Sequence, residues 1–334
     1  MALPTSAIHY QEEHINDNKK PHLIAASAIC LSAAHVAVIL RLLSRRRART
    51  SLEADDYTVI LALFFTSVFV SVVLVGVHYG LGKHLILVTD GAAFGKGTLA
   101  AEILYNPAIA TTKFSILLLY RRLFPVRSFV ILLWCVGAFV AAYSTTAATV
   151  NLLQCLPIRA DWNPSIQPRC VNLDVELIIL SSINVVTDVT ILALPMPLVW
   201  RLHTSRNRKL QVSLTFLLGG FVCAVSIVRA TYVSQVSLTD GSWADTNGAI
   251  WSVVETCIAV VSACLPTLRS LISKPAITAS AREKYEAAYT PENPNKSNNI
   301  KMSTLKSPWS QNASLKTKED DAERIFTRLD NDHE

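Results

Sequence analysis

Seven long apolar blocks limit the folds that this sequence can adopt. About 20 apolar residues in a helix span the hydrocarbon core of a bilayer. Hydrocarbon cannot satisfy backbone hydrogen bonds, so a chain with several such blocks is expected to cross a membrane as helices. The pattern predicts an all-α, polytopic membrane protein, a seven-transmembrane-helix bundle. The blocks cover residues 22–43, 57–77, 98–120, 128–153, 175–202, 210–232 and 248–271.

Polar segments on either side of the blocks predict two tails. Residues 1–21 lack the apolar centre of a cleavable signal and are expected to form a short extracellular tail. Residues 22–272 would form the seven-helix membrane domain. Residues 273–334 are rich in Pro, Ser, Asn, Lys and Glu and cannot bury enough apolar surface to order themselves. We expect this last segment to be a disordered cytosolic tail.

The unequal distribution of basic residues between the loops predicts the orientation of the bundle. Cytosolic loops of membrane proteins carry an excess of Lys and Arg. Counted beside the block ends, 16 of these residues lie on the side that carries the C-terminus and six on the other side. The N-terminus is therefore predicted to be outside the cell and the C-terminus in the cytosol. The expected location is the plasma membrane.

Four charged residues lie inside the apolar blocks. A charge at membrane depth normally faces protein or water and has a partner. Asp188 is near the middle of block five, and Asn184 lies on the same helical face. The depths of the blocks predict two ion pairs, Lys113 with Asp188 and Arg229 with Glu255. These pairs would line a ligand cavity or carry a switch, or they would only lock helices together. The absence of a substrate motif favours the lock.

Two cysteines, Cys155 and Cys170, flank the polar loop between blocks four and five. The other five cysteines lie inside apolar blocks. This loop is predicted to be outside the cell, where disulfides persist. Closing a ring of about 15 residues contributes about 3 kcal/mol in the chain-entropy model. A disulfide between Cys155 and Cys170 is predicted, with two free thiols as the alternative.

Motifs of the common enzyme classes are absent from the sequence. It contains no phosphate-binding loop, dinucleotide fingerprint, HExxH or GxSxG, and we expect no enzymatic activity. The net charge of +6 reports loop orientation, and no nucleic-acid partner is expected. Block seven contains no lysine, so a retinal Schiff base cannot form there. We expect no cofactor and no metal, and the lipid bilayer is the first expected partner.

Several short motifs together resemble the fungal rhodopsin-domain family of seven-helix membrane proteins, over about residues 25–272. Some members of that family resemble surface sensors coupled to G proteins, and others are encoded among secondary-metabolite genes. The motifs are Asp55-Asp56, GLGKH at Gly80–His84, KFSILLLYRRLF at Lys113–Phe124, CLPIRADWN with Cys170, INVVTDVTILALPMPLVWRL at 183–202, Arg229, and WSVVE…LPTLRSL within Trp251–Leu271.

The resemblance implies a receptor-like protein that senses or signals across a fungal membrane. Its implied partners are a small-molecule ligand and a G protein or another cytosolic signalling protein. The alternative is a transporter or accessory membrane protein of a secondary-metabolite pathway that makes a toxin or pigment. Internal repeats would favour a transporter, and none is evident in the seven blocks.

Overall fold

Seven helices occupy the positions of the seven apolar blocks. The protein is represented by a computed structural model that describes residues 11, 14, 17–48, 50–88, 90–157, 169–171, 173–197, 206–233 and 241–272. Within these residues the architecture is all-α, apart from one short strand pair. The helices are α1 (Lys20–Arg47), α2 (Ala54–Tyr79), α3 (Gly91–Leu123), α4 (Arg127–Leu152), α5 (Leu173–Ala193), α6 (Arg206–Val233) and α7 (Gly241–Ile272).

Five of these helices are long and apolar enough to cross a membrane. They are α1, α2 and α4 over their whole length, α5 over Val175–Ala193 and α7 over Ser242–Thr267. In α6 the apolar stretch Gly219–Tyr232 is shorter, and α3 is not among the candidate spans. Charged residues inside α3, such as Glu102 and Lys113, lower its hydropathy. The prediction of a membrane-embedded helical protein is therefore supported, and composition alone identifies five of the seven predicted spans.

The seven helices pack in chain order and form a closed ring. Each helix contacts the next one, and α7 packs along α1 and closes the ring. The larger hydrophobic core lies between α1, α2, α3 and α7, and a smaller core joins α3, α4 and α5. Many large apolar side chains, among them Phe64 and Val186, are exposed on the outside. Extensive exposed apolar surface is typical of a membrane contact.

Proline makes α5 shorter than the sequence predicted. Block five extended to Leu202, but α5 ends at Ala193, two residues before Pro195. Proline lacks a backbone N–H and disfavours the helical conformation of the residue before it. A turn follows at Leu194 and Pro195, Met196 and Pro197 are again helical, and the rest of block five, 198–202, lies outside the described residues.

A short strand pair lies in the loop between α4 and α5. Strand β1 (Cys155–Leu156) pairs antiparallel with β2 (Arg169–Cys170), and the register places Cys155 opposite Cys170. Residues directly opposite in such a pair have Cα atoms about 4.5–5.5 Å apart, a separation that a disulfide can bridge. The pairing register therefore permits the predicted bridge between Cys155 and Cys170. Free thiols are found at Cys30, Cys135, Cys223, Cys257 and Cys264.

Six charged side chains form a cluster at the end of the bundle where α1 ends and α2 begins. Arg41 Nη2 lies 2.7 Å from Asp55 Oδ2, and its Nε lies 2.9 Å from Asp56 Oδ1. Arg45 contacts the same two carboxylates at 2.9 and 3.3 Å. From the sequence, these arginines were expected only to mark the orientation of the bundle, and their pairing with Asp55 and Asp56 was not predicted. The complete arginine–carboxylate cluster consists of Arg41, Arg45, Arg122, Glu53, Asp55 and Asp56.

Arg41 extends this cluster to α7. Its side chain is fully buried, and Nη1 donates a hydrogen bond of 2.7 Å to the Ala263 carbonyl. One turn further along α1, Ser44 Oγ donates to the Thr267 carbonyl at 2.6 Å. Pro266 lies between the two acceptors and interrupts the backbone hydrogen bonds of α7. Side chains of α1 thus hold α7 around its proline.

We predict that Arg41→Met strongly destabilises the protein. The substitution leaves two buried carboxylates with fewer cations, and removing one partner of a buried ion pair costs about 3–5 kcal/mol. Thermal unfolding in detergent measures the loss. Arg47→Met, an exposed position at the end of the same helix, is the control and should change stability by less than about 0.5 kcal/mol. Equal effects of the two substitutions would contradict this account of the cluster.

The disulfide between Cys155 and Cys170 remains a prediction, and alkylation of the purified protein tests it directly. Alkylation before reduction should leave both residues unmodified, and both should react after reduction. Reduction should lower the stability by about 3 kcal/mol because the loop gains freedom in the unfolded chain. Mass spectrometry of the alkylated peptides reads the result, with denatured Cys135 as the internal control for a free thiol. Alkylation of both loop cysteines without reductant would show that the disulfide does not form.

Candidate functional site

Lys113 of α3 lies beside Asp188 of α5 inside the bundle. The distance between Lys113 Nζ and Asp188 Oδ1 is 3.1 Å. The ammonium group also donates to Asn184 Oδ1 at 2.8 Å, to the Asn184 carbonyl at 3.1 Å and to Thr187 Oγ1 at 2.6 Å. These acceptors lie on one face of α5 because their positions differ by three or four residues. A single buried cation is therefore surrounded by one turn of a neighbouring helix.

Arg229 of α6 lies beside Glu255 of α7. Arg229 Nε is 2.8 Å from Glu255 Oε2, an ion-pair contact in which the N–H is not aligned for a hydrogen bond. The Tyr105 hydroxyl donates to the same carboxylate oxygen at 2.8 Å. The Arg229 guanidinium carbon is also 4.4 Å from the centre of the Tyr105 ring, within the range of a cation–π contact. The tyrosine thus contacts both members of this pair.

Two polar side chains join the predicted pairs into one network. Ser226 Oγ lies 2.9 Å from Asp188 Oδ2 and 2.6 Å from Glu255 Oε1. Asn184 Nδ2 donates to Glu255 Oε1 at 2.8 Å. The sequence analysis predicted separate pairs, whereas the structure brings all four charges together. We call this set the charge network, and its members are Tyr105, Lys113, Asn184, Thr187, Asp188, Ser226, Arg229 and Glu255.

The charge network contains two cations and two carboxylates and is neutral as a whole. Charges at membrane depth are costly unless partners compensate them, and here each charge has partners from another helix. The ion pairs and hydrogen bonds connect α3, α5, α6 and α7. A displacement of any one of these helices would separate opposite charges in a poorly solvated interior. The arrangement therefore links the positions of four helices by electrostatics.

A small cavity adjoins the network at Lys113 and Asp188. Its volume is about 50 Å³, and its lining includes Tyr120, Ser262 and Pro266. The Asp188 side chain keeps 12% of its surface accessible, against 1% for Glu255, so Asp188 is the carboxylate that faces this space. A cavity of this size has room for a few waters. It is too small for a drug-sized ligand, which occupies about 300–1,000 Å³.

The GLGKH loop covers the end of the bundle opposite the arginine–carboxylate cluster. Gly80 and Gly82 have φ angles of 122° and 95°, which side-chain-bearing residues rarely adopt. The Gly82 carbonyl accepts a hydrogen bond from Lys19 N at 3.0 Å, and the Gly80 carbonyl accepts one from Ser242 Oγ at 2.9 Å. The loop therefore joins the segment before α1 to the start of α7. This end of the bundle includes the start of α7, the helix that carries Glu255.

Sequence reasoning did not identify Tyr105, Thr187 or Ser226 as parts of one site. Thr187 carried a usable signal, because it precedes Asp188 and shares a helical face with Asn184. Ser226 lies one turn before Arg229 on α6, a spacing that places both side chains on one face. Tyr105 had no such signal, since it lies two turns from Lys113 in an ordinary apolar context. Its role follows only from the packing of α3 against α7.

Comparison with known proteins identifies one matching family and several individual relatives. Residues 40–274 match the family described as the fungal rhodopsin domain. A SAT4 family membrane protein of Emericella nidulans is 33% identical over 199 residues, which are 57% of this chain and 50% of that protein. Protein Ba17b of a polyenoic acids biosynthesis gene cluster in Metarhizium anisopliae is 28% identical over 258 residues, 72% of this chain and 70% of that protein.

A further relative is described as a receptor. Receptor GIN3 of Arthrobotrys oligospora is 27% identical over 177 residues, which are 52% of this chain and 42% of that protein. No solved structure matches the chain. The alignments with the SAT4 family protein and with Receptor GIN3 span half or less of those proteins. The activities of those whole proteins therefore cannot be assigned to this chain from the alignments. The family match covers most of the chain, and this protein belongs to the fungal rhodopsin domain family of membrane proteins.

Proposed function

We propose that this membrane protein is a receptor-like sensor whose charge network is the element that changes state. The observation that carries the proposal is the connection of α3, α5, α6 and α7 through ion pairs and hydrogen bonds. A network of this kind has a small number of favourable arrangements, because opposite charges must remain in contact. Two discrete arrangements of such an element are what physical coupling between distant sites requires.

Two helices would transmit a change in the network to the arginine–carboxylate cluster. On α3, Lys113 and Arg122 are nine residues apart, a rise of about 14 Å. On α7, Glu255 and the Ala263 carbonyl that accepts from Arg41 are eight residues apart, a rise of about 12 Å. Each helix therefore contributes to both clusters. A shift of α3 or α7 that rearranges the network also changes the geometry of the cluster.

The proposed orientation places the arginine–carboxylate cluster in the cytosol and the GLGKH loop outside, at the plasma membrane. The support is the count of 16 basic residues against six beside the helix ends. In this orientation a small molecule arriving from outside would act at the end of the bundle that carries the GLGKH loop. A G protein or other signalling partner would contact the opposite end. The name of the relative Receptor GIN3 is consistent with a sensor.

The second candidate is an accessory membrane protein or transporter of a secondary-metabolite pathway. Its support is the description of several relatives. Ba17b is named for a polyenoic acids gene cluster, and other relatives are named for satratoxin and fugralins clusters. The cavity of about 50 Å³ beside Asp188 does not accommodate a metabolite of ordinary size in this conformation. The sensor is therefore the function that the geometry of the network supports better.

A double-mutant cycle tests whether Lys113 and Asp188 act as a pair. Lys113→Met or Asp188→Leu alone leaves a buried charge without its partner and should cost about 3–5 kcal/mol. The loss of stability in the double variant should be smaller than the sum of the two single losses by about 0.5–3 kcal/mol. Lys113→Met combined with Asp56→Asn, which belongs to the other cluster, should be additive. Additivity in the Lys113–Asp188 cycle as well would show that the contact contributes nothing.

The sensing role is tested with the same double variant in a fungal strain that lacks the gene. Membranes with the unaltered protein should increase GTPγS binding when culture filtrate is added. The Lys113→Met/Asp188→Leu variant, expressed at the same level, should lose that response because its network carries no charge pair at this position. Thr190→Ala, an exposed position on α5, is the matched control and should respond normally.

Secreted and intracellular metabolites of the same strains decide between the two candidates. A sensor predicts that deletion alters the amounts made and leaves the ratio of secreted to retained compounds unchanged. Accumulation of a compound inside the deletion strain, together with no GTPγS response in membranes that contain the unaltered protein, would replace the sensor with the transport or accessory role.

A further inference from the structure

A groove runs along the outside of the bundle between α3 and α4, and it is separate from the charge network. Its volume is about 260 Å³. On each helix the lining residues recur at spacings of three and four, which defines one continuous face. Seven residues of helix correspond to about 10 Å, so the groove accommodates part of an extended acyl chain. The lining includes Phe114, Leu117 and Arg121 on α3 and Trp134, Gly137 and Ala141 on α4.

Gly137 forms the floor of this groove. A Cβ atom built at this position would lie 3.6 Å from the Phe114 ring and 3.7 Å from Leu117 Cδ1. These are ordinary contact distances, so an alanine fits without displacement of either neighbour. A larger side chain has to extend beyond that Cβ position and would occupy the space of the groove. The depth of the groove therefore depends on the small size of residue 137.

Within the part of the chain that the structure describes, Arg121 is the only charged residue in the lining, and it lies at one end of the groove. The guanidinium is exposed, and its carbon lies 5.7 Å from the centre of the Trp134 ring. Among the described residues, the ion pairs of this part of α3 involve the neighbouring Arg122. Arg121 thus presents a positive charge at the end of an apolar groove, in the last turn of α3.

We propose that this groove binds an anionic phospholipid of the cytosolic leaflet. The acyl chain would lie along Gly137, and the phosphate would contact Arg121. Guanidinium groups bind phosphate through paired, charge-assisted hydrogen bonds. Trp134 is 58% exposed and lies about 10 Å along α4 from its first residue, a depth where tryptophan commonly marks the membrane interface. Basic pockets between helices on the cytosolic side are known to favour anionic lipid headgroups.

Charge complementarity selects this occupant over a neutral one. A sterol would fill the apolar part of the groove but would leave Arg121 without an anionic partner. Phosphatidylcholine would bring a phosphate whose charge is compensated by its own choline group, so its headgroup is neutral as a whole. The inference depends on the orientation with the α3 C-terminus in the cytosol, where anionic lipids are concentrated. It does not depend on whether the protein is a sensor or an accessory protein.

Lipid retention by the purified full-length protein tests the headgroup contact. The protein is incubated in detergent with equal amounts of phosphatidylserine and phosphatidylcholine of the same acyl chains, and native mass spectrometry counts the retained lipids. The unaltered protein should retain about tenfold more phosphatidylserine, because only this lipid has a net negative headgroup, and tenfold corresponds to about 1.4 kcal/mol of binding free energy. Arg121→Gln should reduce the ratio to about one, and Arg127→Gln, an exposed arginine at the start of α4, should preserve it.

Substitutions at the groove floor test the acyl-chain contact independently. Gly137→Leu should lose both lipids, whereas Gly137→Ala should retain them, and thermal unfolding establishes that each variant is folded. If Gly137→Leu does not fold, Ala141→Leu at the far end of the groove replaces it. Equal retention of the two lipids by the unaltered protein would overturn the proposal. Equal losses in Arg121→Gln and Arg127→Gln, or displacement of phosphatidylserine by ergosterol, would overturn it too.

Discussion

Buried opposite charges that must stay in contact determine how the central helices pack. Lys113, Asp188, Arg229 and Glu255 come from four different helices, and none of them is compensated within its own helix. Hydrocarbon offers no alternative partner, so each charge fixes the position of a neighbouring helix. Hydrophobic contacts alone would tolerate sliding of these helices, because apolar side chains provide little directional preference. The hydrogen bonds of Ser226 and Asn184 then set the register in which the four charges meet.

The bundle has two neutral polar layers separated by about two to three helical turns. The charge network lies in the middle of the bundle, and the arginine–carboxylate cluster lies at one end. At the level of the arginine–carboxylate cluster, α7 is interrupted by Pro266, and the Ala263 and Thr267 carbonyls on either side of this proline accept hydrogen bonds from α1. Side chains of α1 therefore hold α7 on both sides of the point where its backbone hydrogen bonding is interrupted. This construction joins α1 to a segment of α7 that also determines where Glu255 lies.

Most of the fold could be predicted from the sequence because the hydrophobic pattern has the period and length of membrane helices. The bounds of α1, α2, α4 and α6 agree with the apolar blocks to within four residues. The end of α5 was placed too late, since the apolar run continues past Ala193, where α5 ends two residues before Pro195. Sequence positions also gave the approximate depth of the four buried charges. They could not give the side-chain directions, which decide whether two ion pairs remain separate or share Ser226.

The arginine–carboxylate cluster was missed for a different reason. Arg41 and Arg45 were counted as markers of the cytosolic side, and this interpretation gave no cause to look for partners. The adjacent Asp55 and Asp56 were noted as a family motif, without a physical role. The two features lie on either side of a short connection between α1 and α2, and antiparallel helices bring such positions together. A count of opposite charges across that connection would have predicted the cluster.

The electrostatic environment of Arg41, Arg45 and Arg122 differs before and after the helices pack. During insertion, orientation depends on Lys and Arg near helix ends, and acidic residues contribute little to it. At that stage the three arginines act as individual cations. Once α1, α2 and α3 have packed, Glu53, Asp55 and Asp56 neutralise them, and the mature surface is less basic than the sequence suggests. The three arginines therefore contribute much less positive charge to the surface of the folded protein than their number in the sequence indicates.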